Sequence, residues 1–374
     1  MVNHRLVWTQ GIFSIDENRI WFVPYWINAL CVYNLQTSEM EKIIYFPNQT
    51  TDSAGYYNVK KVDHFAVVIP AFEKQIYIYD TDKDVMCTIN FPFVTCCCEH
   101  FVFSSMLDQN IYLFPAGYEY VLKINLQKKE AVTIKGIDDE CKMFVAMTQI
   151  DESVFLVNET HKIYVFDMIQ ESFKLIVCND SSRKYRTVTH QGTEKLILTD
   201  TTGNLYLQYL NDMGCEKEFM SGDIPYDSSA CIRNDIFLMP IYEKDYFVKI
   251  NLNTKDISKI YINSGDNYLK WPHTVFSKVV CKDDFLYFFS TQYQMLFVYK
   301  PSTEEEMHYQ LEMPVMSDQE IEELLRNKRN HGRIEEGAGQ HATLEKFIAL
   351  AGKDRLNEKQ REPVGDSIFR LMQE

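Results

Sequence analysis

The sequence predicts an all-β protein: a seven-bladed β-propeller of four-stranded antiparallel blades, followed by a short α-helical C-terminal extension. Three observations support this: a strand phrase that recurs seven times, four short strands in each repeat, and polar turn residues between strands. The phrase is a short apolar strand ending in an aromatic residue or Ile. Its anchors, at spacings of 46, 45, 42, 43, 41 and 49 residues, are Tyr33, Tyr79, Ile124, Phe166, Tyr209, Ile250 and Tyr299. A period of roughly 40–50 residues made of short strands is typical of a β-propeller.

The repeats divide into strands in the same way. The strands predicted for the first repeat are 11–15, 19–23, 29–34 and 41–46, and those for the second are 56–62, 65–69, 75–80 and 85–91. Those predicted for the seventh repeat are 274–281, 285–290, 295–300 and 307–312. Asp and Asn between the strands favour hairpin turns, because their short side chains bond to the turn backbone. Seven such sheets become stable when they pack around one axis.

Two segments flank the repeats. Residues 1–313 are predicted to form the propeller, in which residues 6–8 either pair near the outer edge of the seventh blade or form a loose extension. Residues 314–374 are predicted to form a helical tail, because Ser-Asp-Gln-Glu at 317–320 is a capping box and a second helix fits residues 344–351. The tail either docks on the propeller or waits for a partner. Docking is expected, because exposed clusters of Phe and Leu are unfavourable.

Charge and composition exclude several classes of partner. The formal net charge is −15, whereas a nucleic-acid binder needs a basic surface to displace counterions from phosphates. We therefore expect no nucleic acid and no membrane as partner, and no apolar run reaches the roughly 18 residues of a membrane span. The N-terminal segment does not resemble a signal peptide. The ten cysteines fall mainly in predicted strands, where neighbours point to opposite faces, so we expect free thiols and a cytoplasmic location.

The repeated strand resembles a known superfamily. Strands of the pattern Tyr-x-[Tyr/Phe]-Asp, as at 77–80 and 164–167, look like those of seven-bladed propellers of the kelch and WD-repeat type, over most of residues 5–313. The kelch double glycine and the Trp-Asp dipeptide are absent, so the partners of those families do not carry over. With its tail containing Ile-Phe-Arg-Leu at 368–371, the chain also resembles propeller proteins of bacterial surface-polysaccharide gene clusters. That resemblance fixes no functional residue.

Aromatic residues are predicted around one mouth of the central channel. We define the mouth as the end where each inner strand begins and each second strand ends. In four repeats the second strand ends in Pro and an aromatic residue follows; because Pro lacks an N–H donor, it ends strand pairing there. The predicted ligand-binding residues of these loops are Trp26, Phe72, Tyr118 and Tyr242, and Tyr293 stands at the same place in the seventh repeat. They either offer flat apolar faces to sugar rings or a peptide, or pack between blades as repeat residues, which their similarity favours.

The segments that enter the inner strands differ from repeat to repeat. Trp271 and His273 precede the seventh inner strand, Tyr57 enters the second, and Arg186 enters the fifth. Tyr57 and Trp271 are therefore further candidate ligand-binding residues. His273 and Arg186 are candidate catalytic residues, since His can act as a general base near neutral pH and Arg can stabilise negative charge. The alternative is that His273 is a hydrogen-bonded packing residue beside Trp271.

No metal or cofactor is expected. The run Cys-Cys-Cys-Glu-His at 96–100 is rich in ligand atoms, but strand alternation sends its side chains to opposite faces, whereas a metal site needs convergent ligands. The chain also lacks a Gly-rich phosphate loop and a nucleophile elbow.

The sequence therefore predicts a non-catalytic binding or scaffold propeller that recognises a carbohydrate-related small molecule, or a protein partner that processes one, across its aromatic mouth. Two alternatives remain open. The first is an enzyme (a lyase, epimerase or hydrolase) that uses His273 with Arg186. The second is a protein-interaction hub whose C-terminal tail provides the contact surface.

Replacing His273 with Ala distinguishes the enzyme from the binding module. An enzyme should lose turnover while still binding its ligand, because the general base is removed and the pocket remains. A binding module should keep its ligand or lose affinity only. Ligand binding and turnover are measured side by side, and His64→Ala, at a histidine predicted on the opposite face of the ring, is the matched control.

Overall fold

The computed structural model describes residues 9, 11–24, 29–46, 56–70, 75–90, 101–115, 120–135, 144–158, 160–176, 183–211, 216–220, 224–241, 246–262, 276–290 and 295–312. These residues form seven four-stranded sheets. In each sheet the strands follow chain order and pair antiparallel, from an inner strand at the axis to an outer strand at the surface. The sheets stand in a ring as seven blades, which confirms the seven-bladed β-propeller.

The strands of the first four blades are as follows. Blade 1 contains β1 (Ser14–Asp16), β2 (Arg19–Phe22), β3 (Ala29–Asn34) and β4 (Glu39–Tyr45). Blade 2 contains β5 (Tyr56–Val62), β6 (Phe65–Pro70), β7 (Gln75–Asp80) and β8 (Val85–Asn90). Blade 3 contains β9 (Phe101–Leu107), β10 (Asn110–Pro115), β11 (Tyr120–Asn125) and β12 (Glu130–Lys135). Blade 4 contains β13 (Phe144–Ile150), β14 (Ser153–Asn158), β15 (Ile163–Asp167) and β16 (Ser172–Ile176).

The remaining three blades repeat this order. Blade 5 contains β17 (Tyr185–Gln191), β18 (Lys195–Asp200), β19 (Leu205–Tyr209) and β20 (Glu216–Met220). Blade 6 contains β21 (Tyr226–Ile232), β22 (Asp235–Pro240), β23 (Tyr246–Asn251) and β24 (Ile257–Tyr261). Blade 7 contains β25 (Val280–Lys282), β26 (Phe285–Ser290), β27 (Met295–Lys300) and β28 (Glu305–Tyr309).

The second strand of each blade lies between two neighbouring blades, so both of its faces are covered. All six residues of β6, Phe-Ala-Val-Val-Ile-Pro, are buried, and β10, β14, β18, β22 and β26 bury five residues of six. Strands buried on both faces are continuously apolar rather than alternating. The outer strand β4 has no buried residue, because one of its edges faces solvent.

The hairpins between first and second strands use the left-handed backbone region. One residue in each of the seven turns has φ between 46° and 57°. Four are Asp and one is Gly, which reach this region more readily than most residues. These residues are Glu17, Asp63, Asp108, Asp151, Gly192, Arg233 and Asp283. The prediction that Asp and Asn supply these turns is thus confirmed for Asp in four blades, whereas Glu17, Gly192 and Arg233 take the position in the other three.

Seven apolar clusters hold the ring together, one at each junction between neighbouring blades. The junction of blade 7 with blade 1 is built like the others. The ring of Phe289, which is fully buried, lies 5.1 Å from that of Phe13 and 5.4 Å from that of Phe22. Aromatic pairs at such distances add to the free energy of burial. The ring is therefore closed by side-chain packing of the last blade against the first.

Ion pairs also cross several blade junctions, but they contribute little. Lys123 pairs with Glu171 across the junction of blades 3 and 4, and Lys249 pairs with Glu304 across that of blades 6 and 7. At least one partner of each pair is exposed by about a third or more, and exposed pairs contribute roughly 0–1 kcal/mol. A single buried Phe contributes more than that. The apolar clusters therefore dominate the stability of the ring.

Some predicted inner strands are too long. β1 covers Ser14–Asp16 instead of 11–15, and β25 covers Val280–Lys282 instead of 274–281. In blade 7 the ladder is interrupted: Phe276 pairs with Ser290 as an isolated bridge, and regular pairing resumes only at Val280. Apolar residues in this interval led the sequence prediction to extend the strand.

Some predicted outer strands begin too late. β28 covers Glu305–Tyr309 instead of 307–312, and β4 begins at Glu39 instead of residue 41. Each strand starts directly after a turn residue with positive φ, Glu304 at 56° and Ser38 at 57°. In β28 the exposed residues Glu305 and Glu306 carry no apolar signal, so the prediction placed the start at Met307.

Two predicted segments lie outside the described residues: residues 6–8, and the tail at 314–374, whose docking stays a prediction. Within the described part of the chain, no helix is long and apolar enough to cross a membrane. The cysteines described there, Cys31, Cys87, Cys231 and Cys281, all lie in strands and are free.

Replacing Phe289 with Ala should destabilise the protein by about 3–5 kcal/mol, since it leaves a cavity at the junction that closes the ring. Urea unfolding followed by circular dichroism measures the loss. Ile169→Ala is the control, because Ile169 is 70% exposed and its replacement should change stability by less than about 0.5 kcal/mol. Equal stabilities for the two variants would contradict the packing of blade 7 against blade 1.

Candidate ligand site in the central channel

The seven inner strands surround a cavity of about 370 Å³. Every blade contributes residues to its wall, so the cavity lies on the axis of the ring. Its volume falls at the lower end of the range for small-molecule sites, about 300–1,000 Å³. It is therefore a candidate ligand site by position and size.

Ile12 narrows this cavity from one side. Its backbone N–H donates to Asn58 Oδ1 (2.7 Å), and its carbonyl accepts from the backbone N–H of Val59 (2.8 Å), so its main chain is fixed to blade 2. Its side chain packs against the apolar cluster between blades 3 and 4. Ile12 thus reaches across the channel, which makes the wall apolar on the side of blades 3 and 4.

A bulge near the start of the inner strand sets which residues stand at the mouth. In blades 2 to 6 the pairing of first and second strands shifts by one residue directly after the first aromatic residue. Bulges re-aim side chains and are frequent next to functional sites. The extra residues are Tyr57, Val102, Val145, Arg186 and Asp227. Only blades 5 and 6 carry a charge at this position.

Asp227 is shared by two cations from the neighbouring blades. Its Oδ1 accepts from Arg186 Nη2 (3.2 Å), and its Oδ2 accepts from Lys278 Nζ (3.0 Å). Lys278 Nζ also donates to the backbone carbonyl of Asp227 (2.9 Å). All three side chains are about two-thirds buried or more. These residues, the channel ion-pair network, connect blades 5, 6 and 7 across the channel wall.

Asp227 is charged at neutral pH. Burial acts to raise the pKa of its carboxyl, but the charges and hydrogen bonds of Lys278 and Arg186 outweigh burial and hold the pKa below its ordinary value. The network is therefore an ion-pair system with two positive charges and one negative charge. Its net charge is positive, in contrast to the formal charge of −15 of the whole chain.

Two polar atoms at the channel have no partner among the described residues. Arg186 Nε and Ser229 Oγ are buried and form no hydrogen bond there. Ser229 lines the cavity, and Arg186 contacts Asp227, which lines it too. Buried polar groups in native proteins are almost always satisfied, so these two atoms are exceptions among the described residues at the channel.

Lys60 adds a further positive charge on the wall formed by blade 2. Its side chain lines the cavity, and no ion pair or hydrogen bond joins it to another described residue. Burial lowers the pKa of its ammonium group, because an unpaired charge is unfavourable away from water. Its neighbour Lys61 differs: it pairs with Asp16 (3.5 Å) and donates to the carbonyl of Asp63 at the opposite end of the channel.

Most of the predicted site residues lie outside the described residues: Trp26, Phe72, Tyr118, Tyr242, Trp271, His273 and Tyr293. Their roles stay predictions. The second strands that precede three of these loops end at Pro70, Pro115 and Pro240, directly opposite the first residues of the inner strands. These loops therefore start from the end of the ring at which Arg186 lies.

Arg186 and Tyr57 are the two predicted residues on which the structure bears. Both occupy the bulge position of their inner strands, although the side chain of Tyr57 lies outside the described part. The guanidinium of Arg186 lies beside the cavity and is paired with the carboxylate of Asp227. His64 and His190 lie at the hairpin end of their blades, away from Arg186.

Sequence reasoning missed Asp227, Lys278 and Lys60. A signal was available for Asp227: when the repeats are aligned on the aromatic residue that opens the inner strand, the next residue is Val in two blades and charged only in blades 5 and 6. Lys278 and Lys60 offered no such signal, since surface lysines are common in this chain. Their place in the channel follows from the ring.

No group of three or more His, Cys, Asp or Glu residues within the described part comes together as a metal site. The run at 96–100 lies outside that part.

The comparisons with known proteins bear on the fold alone. No protein-family model matches the chain, and no curated protein is similar to it in sequence. Among solved structures, the chain is similar to virginiamycin B lyase from Staphylococcus aureus (TM-score 0.57, 8% identity, 76% of this chain and 92% of that one). It is also similar to the computationally designed Ika8 protein (TM-score 0.56, 8% identity, 79% and 97%).

A third similar structure is PorZ, a bacterial surface component of the type-IX secretion system of Porphyromonas gingivalis (TM-score 0.56, 11% identity). It aligns with 84% of this chain, which spans 39% of PorZ. A lyase, a designed protein and a secretion component thus share the architecture. The fold therefore defines this chain as a seven-bladed propeller and leaves its ligand to be argued from the site.

Replacing Asp227 with Asn should destabilise the protein by about 1–3 kcal/mol, because it leaves Arg186 and Lys278 without a counter-ion. Asp82→Asn is the control, since Asp82 is exposed in a turn and its loss should have little effect.

Because pairing lowers the folded pKa of Asp227, its stabilisation is full above the unfolded pKa of about 3.9 and is lost as pH falls through the folded pKa. The difference in urea stability should therefore stay constant between about pH 5 and pH 7. A difference that shrinks within this window would contradict the pairing.

Proposed function

We propose that this chain is a non-catalytic binding propeller that takes its ligand into the axial cavity from the mouth. The observation that carries this proposal is the contrast between two sets of positions. The positions between blades repeat apolar residues around the ring, whereas the mouth positions differ from blade to blade and carry Arg186, Asp227 and Lys278. Positions that differ among structural repeats are free of the packing constraint, which favours a role in binding.

The ligand we propose is a carbohydrate-related molecule, either free or presented by a protein that processes it. The cavity offers hydroxyl, ammonium and carboxylate groups together with apolar residues such as Ile12 and Phe103, a mixture that suits the polar edges and apolar faces of sugars. The aromatic residues predicted in the loops at the same end of the ring add to this support. The volume of the cavity and its position on the axis support a small ligand. Where a protein presents that ligand, the protein contacts the mouth.

Binding rather than catalysis is favoured by the state of the channel side chains. Arg186 is already paired with Asp227, and two hydroxyls of the described wall engage the backbone or another hydroxyl: Ser228 Oγ accepts from the N–H of Val279 (3.2 Å), and Thr187 pairs with Thr199 (2.7 Å). The hydroxyl–histidine contact in the described inner strands joins Thr148 Oγ1 to His190 Nδ1 (2.7 Å), and both residues lie towards the hairpin end, away from Arg186 and Asp227 at the mouth.

A ligand panel tests this function. Purified protein is heated in the presence of neutral sugars, sugar acids, sugar phosphates and nucleotide sugars, and a ligand at one hundred times its Kd should stabilise the protein by about 2.7 kcal/mol. Ser229→Leu should abolish the stabilisation, because the larger side chain fills part of the cavity. Asp82→Asn is the control variant and should respond as the wild type does.

Two results would count against the proposal. A panel in which no ligand raises the melting temperature would remove the carbohydrate-related ligand. A ligand that stabilises wild type and Ser229→Leu equally would bind elsewhere, which would remove the axial cavity as the site.

A further inference from the structure

We infer that the ligand of the axial cavity carries an anionic group, a carboxylate or a phosphate, bound beside Arg186 and Lys278 with Lys60 on the opposite part of the wall. This inference rests on the proposed function, that a ligand binds in the channel, and it adds the chemical class of that ligand. Four observations on the described residues carry it: an excess of positive charge, unsatisfied donors, an unpaired lysine, and the identity of the residues that replace it in other blades.

Positive charge exceeds negative charge along the described wall of the channel. Arg186, Lys278 and Lys60 contribute three positive charges, and Asp227 is the carboxylate among the described residues that neutralises part of them. The whole chain has a formal charge of −15, so this excess is opposite in sign to the protein that surrounds it. A cleft lined by one sign of charge concentrates ligands of the other sign.

The donors of Arg186 are only partly used. Its Nη2 donates to Asp227, whereas its Nε is buried without a partner among the described residues. A guanidinium presents five N–H donors in a planar fork that matches the oxygen spacing of carboxylates and phosphates. Asp227 occupies one side of this fork. The Nε of Arg186 and the hydroxyl of Ser229, a residue of the cavity wall, thus remain without a partner among the described residues.

Lys60 lies across the ring from this network. It comes from blade 2, whereas the network belongs to blades 5, 6 and 7, and no described carboxylate offsets the effect of burial on the pKa of its ammonium. An anion in the cavity would remove this unfavourable situation, because an opposite charge nearby favours the charged form. Lys60 is therefore placed to stabilise a negatively charged ligand and has no structural partner that explains its presence.

The fold does not require a lysine at this position. The strand pairings identify the equivalent residue of each other blade, and all of them are small or uncharged: Ser14, Ser105, Thr148, Thr189, Ala230 and Val280. Six neutral residues support the same backbone in the same ring. The propeller fold therefore does not need a charge at this position, and the charge of Lys60 is specific to blade 2.

The experiment compares matched ligands on three variants. The probes are glucose, glucuronic acid, glucose 1-phosphate, UDP-glucose and inorganic phosphate, titrated calorimetrically at low and high salt. The wild type should bind at least one charged probe about tenfold or more tightly than glucose, with affinity that falls as salt screens the charges. Binding of glucuronic acid identifies a carboxylate ligand, and binding of the phosphorylated probes identifies a phosphate ligand.

The variants locate the anion. Lys60→Met and Arg186→Gln should each weaken the charged probe by about tenfold or more and bring it close to glucose, while leaving glucose itself unchanged. Lys174→Met is the matched control, because Lys174 is an exposed lysine on an outer strand and its loss should change nothing. Lys60→Met is expected to fold, since the equivalent positions are neutral in the other blades. If Arg186→Gln unfolds, the affinity of Lys60→Met for the charged probe alone tests the anion site.

The outcomes separate this inference from the function on which it rests. If glucose binds as tightly as the charged probes, or if Lys60→Met binds them as tightly as the wild type does, the anion site is wrong and the binding propeller stands. If no probe binds to the wild type, the proposed carbohydrate-related function fails and the anion site fails with it.

Discussion

The packing of each sheet against its two neighbours is the interaction on which the rest of this structure depends. A four-stranded sheet of this size cannot bury both faces alone, and the ring supplies a partner for every face. Phe289 shows the consequence at the last junction, where its ring contacts Phe13 and Phe22 of the first blade. Because stability resides between the blades, the edges that face the axis are released from packing and can differ in chemistry.

The channel ion-pair network shows how this freedom is used. Arg186, Asp227 and Lys278 come from three successive blades and meet only because the ring brings the starts of their inner strands together. The bulge in the inner strands of blades 5 and 6 displaces two of the three by the same step. The backbone bulge thus recurs from blade to blade, whereas the charge of the residue at the bulge differs between blades. A site of this kind belongs to no single repeat.

The fold was predictable from the sequence because the strands buried on both faces carry a strong signal. The run at Phe65–Pro70 is apolar throughout, and the run at Phe285–Ser290 is apolar up to its final serine. By contrast, β28 opens with exposed glutamates that carry no such signal. The site was predictable only in part. Arg186 was identified from its place at the start of an inner strand, but Asp227 was missed, since a contact between blades has no trace in either repeat alone.

The bulk charge of the chain and the charge of its channel have opposite signs, and this affects how fast an anion could arrive. The acidic exterior repels such a ligand at long range, while the cations at the axis attract it only at short range, within a Debye length of roughly 8 Å at physiological ionic strength. Added salt would then speed the encounter and shorten the lifetime of the complex at the same time. The protein then distinguishes one anionic ligand from another by dissociation rate more than by association rate.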